Sequence, residues 1–546
     1  MTEEGGFRRE FYATGTADAG GPGADAGSVL RQREGRCDGP PEERSSELSL
    51  SPASPMRALR LLLATFTLPL AAQIPTAEFA ARRDALVDLL PDGVFLALGA
   101  PAPVPDFIPF HQDPYLFYLT GFDEPGAALV LVKQGRERRA LLFVQGKDPA
   151  REVWTGERLG VSGVAPALGL EGRDAANLAT VLDSLLRRVP RLQVTGNIGR
   201  QMTERSGHDQ FVDALRAATP GLDVTDARRT VDRLRGRKSA AELERLRIAG
   251  EISARGHVAA WESVAPGVPE YVLQAVAEGS WRREGGDGPS YGSIVGSGPN
   301  ATTLHYNRDD RIAQAGELIV MDLATYFDGY AADLTRTIPV SGRFSPEQRA
   351  IYEIVLAAQL AAERQVRVGG PSRAMSDSAS AVLAAGLTRL GLIESPTATY
   401  DCGSAEQPRE CPQLSLYYMH GLGHGIGLLV HDPEQYTVTG RIAVGSAFTL
   451  EPGLYVRRQL TSILRTTARN AKLIARIGPV VARYADIGVR IEDDYLVTEA
   501  GIVRSTAGVP REIDGIERAL ATPRALPDAE VTARYRRLKT GRPTAP

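Results

Sequence analysis

The stretch that most limits what this chain can fold into is residues 316–339, GELIVMDLATYFDGYAADLTRTIP. Residues 318–323 are an apolar run bounded by Ala315-Gly316 on one side and Asp328-Gly329 on the other, which reads as a buried strand. Residues 330–340 read as the returning strand, so the stretch is a β-hairpin carrying two carboxylates, Asp322 and Asp333. A four-residue loop over 326–329 puts the acids directly opposite each other, with Cβ atoms roughly 5 Å apart. A two-residue Asp-Gly turn makes them diagonal neighbours instead. In either register two ionised carboxylates in an apolar hairpin repel, and a proton or a cation must offset that cost. A divalent metal is the simplest answer, although paired acids in a hairpin also occur as plain solvent-facing residues.

At 546 residues the chain has room for two or more domains, and 43% hydrophobic residues can build sizeable cores. A formal net charge of −3 gives no electrostatic case for nucleic acid. Residues 1–55 lack apolar periodicity and cannot bury a core, so they read as a spurious or disordered leader. Residues 56–72 have the order of a signal peptide: basic Met56-Arg57-Ala58-Leu59-Arg60, apolar 61–70, then small Ala71-Ala72. The apolar part is well short of the roughly 20 residues a spanning helix needs, and no Cys follows it to take a lipid. The pattern predicts export to the periplasm or beyond, translation from Met56 and no stable membrane anchor. A genuine leader followed by a buried helix is the alternative. Cys402 and Cys411, nine apart in sequence, either close a small disulfide loop in an oxidising compartment or stay as two thiols.

Residues 73–226 read as an α/β domain. A helix from Thr76 has Phe79, Leu86, Leu89 and Leu90 on one face and ends at Pro91-Asp92-Gly93. Apolar runs at 94–98, 127–132 and 140–144 read as strands, with helical stretches between later elements. Two aromatic patterns, Phe110-His111-Gln112-Asp113 leading to Tyr118–Phe122 and Val153-Trp154-Thr155-Gly156, lack metal-ligand spacing. This domain is therefore expected to scaffold, cover a pocket or make oligomer contacts. Its boundary falls between Asp226 and Lys238, where five basic residues read as a solvated linker and helix face. Ser239-Ala240-Ala241-Glu242 is a capping box opening a helix that carries Leu243, Leu246, Ala249 and Ile252. A second domain, 238–525, follows, with a polar tail over 526–546.

Three more stretches carry unusual chemistry. Residues 294–307, IVGSGPNATTLHYN, start Gly-rich, but no Gly-Lys-Ser/Thr follows, so a nucleotide phosphate loop is excluded. His305 stands near their end. Residues 420–427, HGLGHGIG, with His431-Asp432 behind them, hold three of the seven histidines. His420 and His424 are four apart as in a zincin helix, yet the Glu of that motif is missing and four glycines disfavour a helix, so a Gly-rich turn fits better. Residues 448–453, FTLEPG, and 488–493, GVRIED, each set a Glu, Glu451 or Glu492, at the end of an apolar stretch. Two Asp, two Glu and at least one His suit Mn²⁺, Co²⁺ or Zn²⁺ rather than a thiolate site. Four carboxylates exceed one ion's needs, and two ions about 3.5–4 Å apart can hold a hydroxide and polarise a carbonyl, which is hydrolase chemistry.

In order and spacing, Asp322, Asp333, His424 within HGLGHGIG, Glu451 within LEPG and Glu492 within VRIED resemble the pita-bread metallopeptidase family. The N-terminal patterns FHQDPYLFYLTGF and VWTGERLG resemble its aminopeptidase P branch more than methionine aminopeptidase, which lacks such a domain. The resemblance implies an α/β (α+β) chain, with an N-terminal α/β domain followed by a pita-bread catalytic domain. It implies two divalent ions, Mn²⁺ ahead of Co²⁺ or Zn²⁺, with Asp322 chelating one, Asp333 and Glu492 bridging both, and His424 with Glu451 completing the second. Glu451 would also relay a proton from the bridging water. His305, His420 and His431 would orient the scissile carbonyl and stabilise the tetrahedral intermediate, and Arg490 would anchor Glu492 or the proline side of the substrate.

The implied activity is hydrolysis, by a binuclear metal-bound hydroxide, of the bond between an N-terminal residue and a following proline, in a homodimer or homotetramer. Rivals are a dipeptidase restricted to Xaa-Pro, an inactive pita-bread module that binds peptides, and a metal-free creatinase-like hydrolase. The last two lose ligands that are all present here. Ala324 stands where the family commonly has Gly. The segments around Cys402 and Cys411 and over 457–485 exceed a minimal catalytic domain and are expected to flank the pocket. Tyr417-Tyr418-Met419 reads as core in preference to pocket wall.

Overall fold

The computed structural model describes residues 74–105, 108–195, 206–404 and 406–521. The leader, the signal segment and the polar tail expected from the sequence lie outside them. Among the described residues no helix is long and apolar enough to cross a membrane.

The first helix, Thr76–Leu89, buries Phe79, Leu86 and Val87 together with Arg82 and Arg83. Leu89 departs from the expectation and is 55% exposed, because it falls off the stripe that runs from Phe79 through Arg82 and Leu86 to Leu90. The two arginines donate to the carbonyls of Tyr118 and Leu119 at 3.1 and 2.8 Å, at the C-terminal end of the helix Pro114–Thr120, where cations are favoured. Six strands form one mixed sheet: β1 (Gly93–Leu98), β2 (Ala128–Gln134), β3 (Glu137–Val144), β4 (Glu171–Asp174), β5 (Arg191–Val194) and β6 (Asp223–Asp226), in the order β4-β3-β2-β1-β5-β6. Side chains alternate between its faces with period two. Val94 and Leu96 pack on Leu182, Leu186 and Val212. Phe95 and Ala97 point the other way, into a cluster that continues through Leu243, Leu246, Tyr330 and Ile426 of the second half. The two halves thus share a core.

The stretch between them is a helix, Arg228–Arg235, with Arg229 and Arg233 on the expected solvated face, but it is not all solvated, since Arg235 is 1% exposed. Its guanidinium lies 4.8 Å from the Tyr115 ring centroid and pairs with Asp432, whose other oxygen accepts from Lys238 at 3.0 Å. A buried cation without such a partner would be costly, so Asp432 draws these basic residues inward.

The second half opens with the expected capping box: Ser239 Oγ accepts the Glu242 N–H and the Glu242 carboxylate accepts the Ser239 N–H. The helix it starts, Ala240–Trp261, packs beside Glu270–Arg283, and Pro346–Glu363 packs beside Arg373–Leu390. Against these helices, Leu318–Asp322 is the middle strand between Ile294–Ser297 and Thr335–Pro339. Ala447–Leu450 pairs with Asp493–Thr498, and Gly453–Val456 pairs with Ile487–Arg490.

The hairpin of residues 316–339 turns on Asp328-Gly329, with φ of 49° and 78°, the left-handed pair that a two-residue type I′ turn requires. Phe327 pairs with Tyr330 and Asp322 with Thr335, so the four-residue loop does not form and the two acids are diagonal neighbours. Ladder strands are interrupted after Asp322, and two residues of helix Ala240–Trp261 serve the backbone there. Ser253 Oγ accepts the Thr325 N–H, and His257 Nε2 lies against the Leu323 carbonyl, each at 3.0 Å. Cys402 and Cys411 form a disulfide, with Cα atoms 5.8 Å apart, between the strands Thr399–Asp401 and Glu410–Pro412.

Candidate metal centre

Asp322, Asp333, His424, Glu451 and Glu492 line one cavity of about 440 Å³, together with His305, His420, His431 and Arg490. Asp322 ends its strand and Asp333 sits in the interruption opposite. Glu492 follows the strand Ile487–Arg490, and its N–H donates to the Thr335 carbonyl at 3.1 Å. His424 arrives on the Gly-rich stretch, which is no helix and instead runs beside the strand Ala447–Leu450. The Thr449 N–H donates to the His424 carbonyl at 2.9 Å, and the Glu451 N–H to the Leu422 carbonyl at 2.7 Å. The approach explains Gly423, where an added Cβ would come within 2.0 Å of the Thr449 carbonyl oxygen.

His424 Nε2 lies 3.5 Å from Asp333 and 3.6 Å from Glu451. Asp333, His424 and Glu492 each offer a ligand atom within 4.8 Å of the others. Burial, then repulsion from neighbouring carboxylates, pushes the Asp333, Glu451 and Glu492 carboxyls well above the usual range. Burial lowers His424 and His420 to about 4, helped by His431 for the first and by Arg490 for the second, so both imidazoles are neutral near pH 7. Neutral imidazole and crowded carboxylates are what a divalent cation would bind, with release of protons. Glu492 Oε1 is buried with no hydrogen-bond partner, an acceptor that fits such a cation.

The Arg490 guanidinium makes no hydrogen bond to Glu492, the first of the two roles expected of it. It pairs with Asp322 and donates to Tyr455 Oη at 2.8 Å, to Thr335 Oγ1 at 3.2 Å and to the Leu304 carbonyl at 3.4 Å, reaching from the Gly453–Val456/Ile487–Arg490 pair to the neighbouring sheet that carries Asp322 and Thr335. The His431 ring stands edge-on to His424 with centroids 4.2 Å apart. His420 is fixed between the Gly421 carbonyl and Tyr455 Oη, at 2.8 and 2.9 Å. His305 is exposed at the cavity's edge. Tyr417 is core, as expected, whereas Tyr418 is only partly buried and meets the His420 ring edge-on at 5.0 Å.

Neither the disulfide hairpin nor residues 457–485 contribute to the lining of the cavity. They bind each other instead, Asn470 Nδ2 donating to the Asp401 carbonyl and Thr467 Oγ1 to the Asp401 carboxylate, at 3.0 and 2.6 Å.

Comparison with known proteins agrees with this geometry. Residues 244–499 match the model of metallopeptidase family M24, and residues 79–194 that of the aminopeptidase P N-terminal domain. An Xaa-Pro aminopeptidase of Haemophilus influenzae is 35% identical over 351 residues, 64% of this chain and 78% of that protein. The Escherichia coli Xaa-Pro aminopeptidase is 32% identical over 400 residues, 70% of this chain and 88% of the relative. The chain belongs to metallopeptidase family M24. Among solved structures, Pseudomonas aeruginosa aminopeptidase PepP superposes with a TM-score of 0.69 at 33% identity, covering 82% of this chain and 99% of that one. E. coli aminopeptidase P with the inhibitor Pro-Leu gives 0.68 at 30% identity, covering 82% and 98%. The second half is accordingly the pita-bread domain of M24, preceded by an aminopeptidase P N-terminal domain.

Four residues that hold this M24 site were not singled out in the sequence. Tyr291 Oη donates to Asp322 at 2.6 Å, Thr335 Oγ1 donates to Glu492 at 2.7 Å, the Asp333 N–H donates to Asp494 at 3.0 Å, and Tyr455 bonds Arg490 and His420. Thr335 begins the strand just after Asp333, and Asp494 lies in the strand just after Glu492, so both stood close in sequence to a candidate ligand. Tyr291 carried no such signal.

Proposed function

We propose that this chain is a metal-dependent Xaa-Pro aminopeptidase, which hydrolyses the bond between an N-terminal residue and a following proline. The observation that carries this reading is the convergence of four carboxylates and a neutral imidazole in one cavity, in a chain whose relatives are named for that activity. Asp322, Asp333, His424, Glu451 and Glu492 would hold two divalent ions, Mn²⁺ in preference to Co²⁺ or Zn²⁺. When bound, such ions polarise a carbonyl and lower the pKa of water. The scissile bond joins the carbonyl carbon to the proline nitrogen, a tertiary amide that offers no N–H to recognise. Glu451, on the cavity wall, takes the proton from the attacking water and returns it to that nitrogen as the bond breaks. His305, His420 and His431 orient the carbonyl, and Arg490 holds the Asp322 carboxylate in place.

We also propose export and a dimeric or tetrameric assembly. The 56–72 pattern and the Cys402–Cys411 disulfide support an oxidising compartment, and the family resemblance supports the assembly. N-terminal sequencing of the mature protein and light scattering test these two points.

For the activity, protein expressed from Gln73 is stripped of metal, reloaded with Mn²⁺, Co²⁺ or Zn²⁺ separately, and given an Arg-Pro-Pro tripeptide, an Xaa-Pro dipeptide and a Met-Ala peptide. Metal-dependent release of Arg from the tripeptide is expected. Cleavage of the dipeptide alone would make the chain a dipeptidase, and no cleavage with any ion would overturn the reading.

A further inference from the structure

Glu270 is fully buried, begins the helix Glu270–Arg283 and does not line the cavity. Its Oε1 accepts from the Ser297 N–H at 2.6 Å, the Ser297 hydroxyl at 2.7 Å and the Asn300 amide at 3.4 Å. Its Oε2 accepts from the Arg311 N–H at 2.8 Å and lies 2.9 Å from Tyr306 Oη, whose single proton it shares with Asp310 Oδ1, also at 2.9 Å. The Glu270 N–H donates in turn to the Arg311 carbonyl at 2.9 Å. Arg311 reinforces the closure, donating to Ser297 Oγ at 2.8 Å and pairing with Glu317 at 2.6 Å. One carboxylate therefore draws together Ser297 and Arg311, the two ends of a loop that carries Leu304, His305 and Asn307 into the cavity lining.

Such convergence has a physical cost and a purpose. Burying a carboxylate is unfavourable unless donors surround it; here four do, with the shared Tyr306 hydroxyl beside them, and the first turn of a helix adds its dipole. Residues 303–311 form neither helix nor extended strand, so nothing in regular structure sets the exposed His305. Its direct neighbour Tyr306 is 9% exposed and tied to Glu270.

We propose that Glu270 is a positioning residue for His305, acting through the loop 297–311 and not through the metal centre. The inference rests on the role proposed above for His305. A glutamine at 270 keeps the shape but presents an NH₂ donor where one carboxylate oxygen had accepted, so either the Ser297 pair or the Tyr306–Arg311 pair loses its acceptor.

The test is a double-mutant cycle of Glu270→Gln and His305→Ala in the metal-loaded full chain, reading kcat, KM and metal content by elemental analysis. Glu270→Gln is expected to keep wild-type metal content, to lower kcat about tenfold or more, and to add nothing in the His305→Ala background. Tyr306→Phe, which removes the hydroxyl's contacts with both Glu270 and Asp310 and so loosens the loop while leaving the carboxylate in place, tests the loop's hold on His305 should the Gln variant fold poorly, and a smaller loss of kcat, again silent without His305, is expected. Losses that multiply in the double variants, or an unchanged kcat in Tyr306→Phe and Glu270→Gln, would overturn the Glu270 assignment alone. An unchanged kcat in His305→Ala would overturn the role of His305, and this inference with it.

Discussion

His257 ties proton binding to the stability of the fold beside the candidate metal centre. It is fully buried in helix Ala240–Trp261 against the carbonyl of Leu323, the residue after Asp322. Burial lowers its pKa from 6.5 to about 4. Between those values the unfolded chain binds the proton and the folded one does not, so stability from this site is full above pH 6.5 and lost as pH falls toward 4. The loss amounts to roughly 3 kcal/mol in all, at about 1.4 kcal/mol per pH unit. In His257→Gln the side chain still donates to Leu323 but cannot titrate. Urea unfolding of the metal-free proteins across this window should show a pH slope shallower by about one proton in the variant, and equal slopes would contradict the assignment.

At the scale of an element, the hairpin that presents Asp322 and Asp333 depends on its turn and on its long pairing. Gly329 has φ of 78°, and an Ala there meets only ordinary contacts with Phe117, the nearest at 3.6 Å, so the expected penalty is conformational and not steric. Gly329→Ala should lower stability by about 1–2 kcal/mol. Metal content should be retained, because five residue pairs from Asp322–Thr335 to Leu318–Pro339 hold the register independently. Thermal denaturation and metal stoichiometry check this together. Loss of metal would mean that the turn alone sets the register, since a slip of one residue in the returning strand turns its side chains to the opposite face while Leu318–Asp322 stays paired to Ile294–Ser297.

For the whole molecule the decisive contact joins the two halves. Arg82 pairs with Glu242 at 3.1 Å and with Glu78 at 2.5 Å, and Tyr330 Oη donates to Glu242 at 3.0 Å. The first helix, the long helix and the hairpin thus meet at one buried carboxylate. Arg82→Met leaves Glu242 without its cation, and breaking a buried pair from one side costs about 3–5 kcal/mol. Because the apolar cluster beneath runs from Leu86 through Leu246 to Tyr330 and Ile426, the halves should melt together at a lower temperature. Calorimetry showing one shifted transition agrees, and two separated transitions would deny the shared core.

How much could be read in advance follows from the range of each interaction. The capping box at Ser239, the strand at 318–323 and the short motifs around His424, Glu451 and Glu492 are local patterns, and a single chain displays them without a partner. Those patterns determined by themselves the family resemblance and nine of the residues that meet in the cavity, from His305 to Glu492, but not Tyr291. The hairpin turn could not be decided locally, since both a two-residue and a four-residue connection suit its residues; long pairing of Asp322 with Thr335 settled it. Arg490 and Asp322 are 168 residues apart, Arg235 and Asp432 are 197 apart, and Glu270 and Arg311 are 41 apart. Periodicity tells which face of an element is buried but not which distant group will meet it. Only the tertiary structure, by bringing each buried charge to a counter-charge or a set of donors, decided those partners.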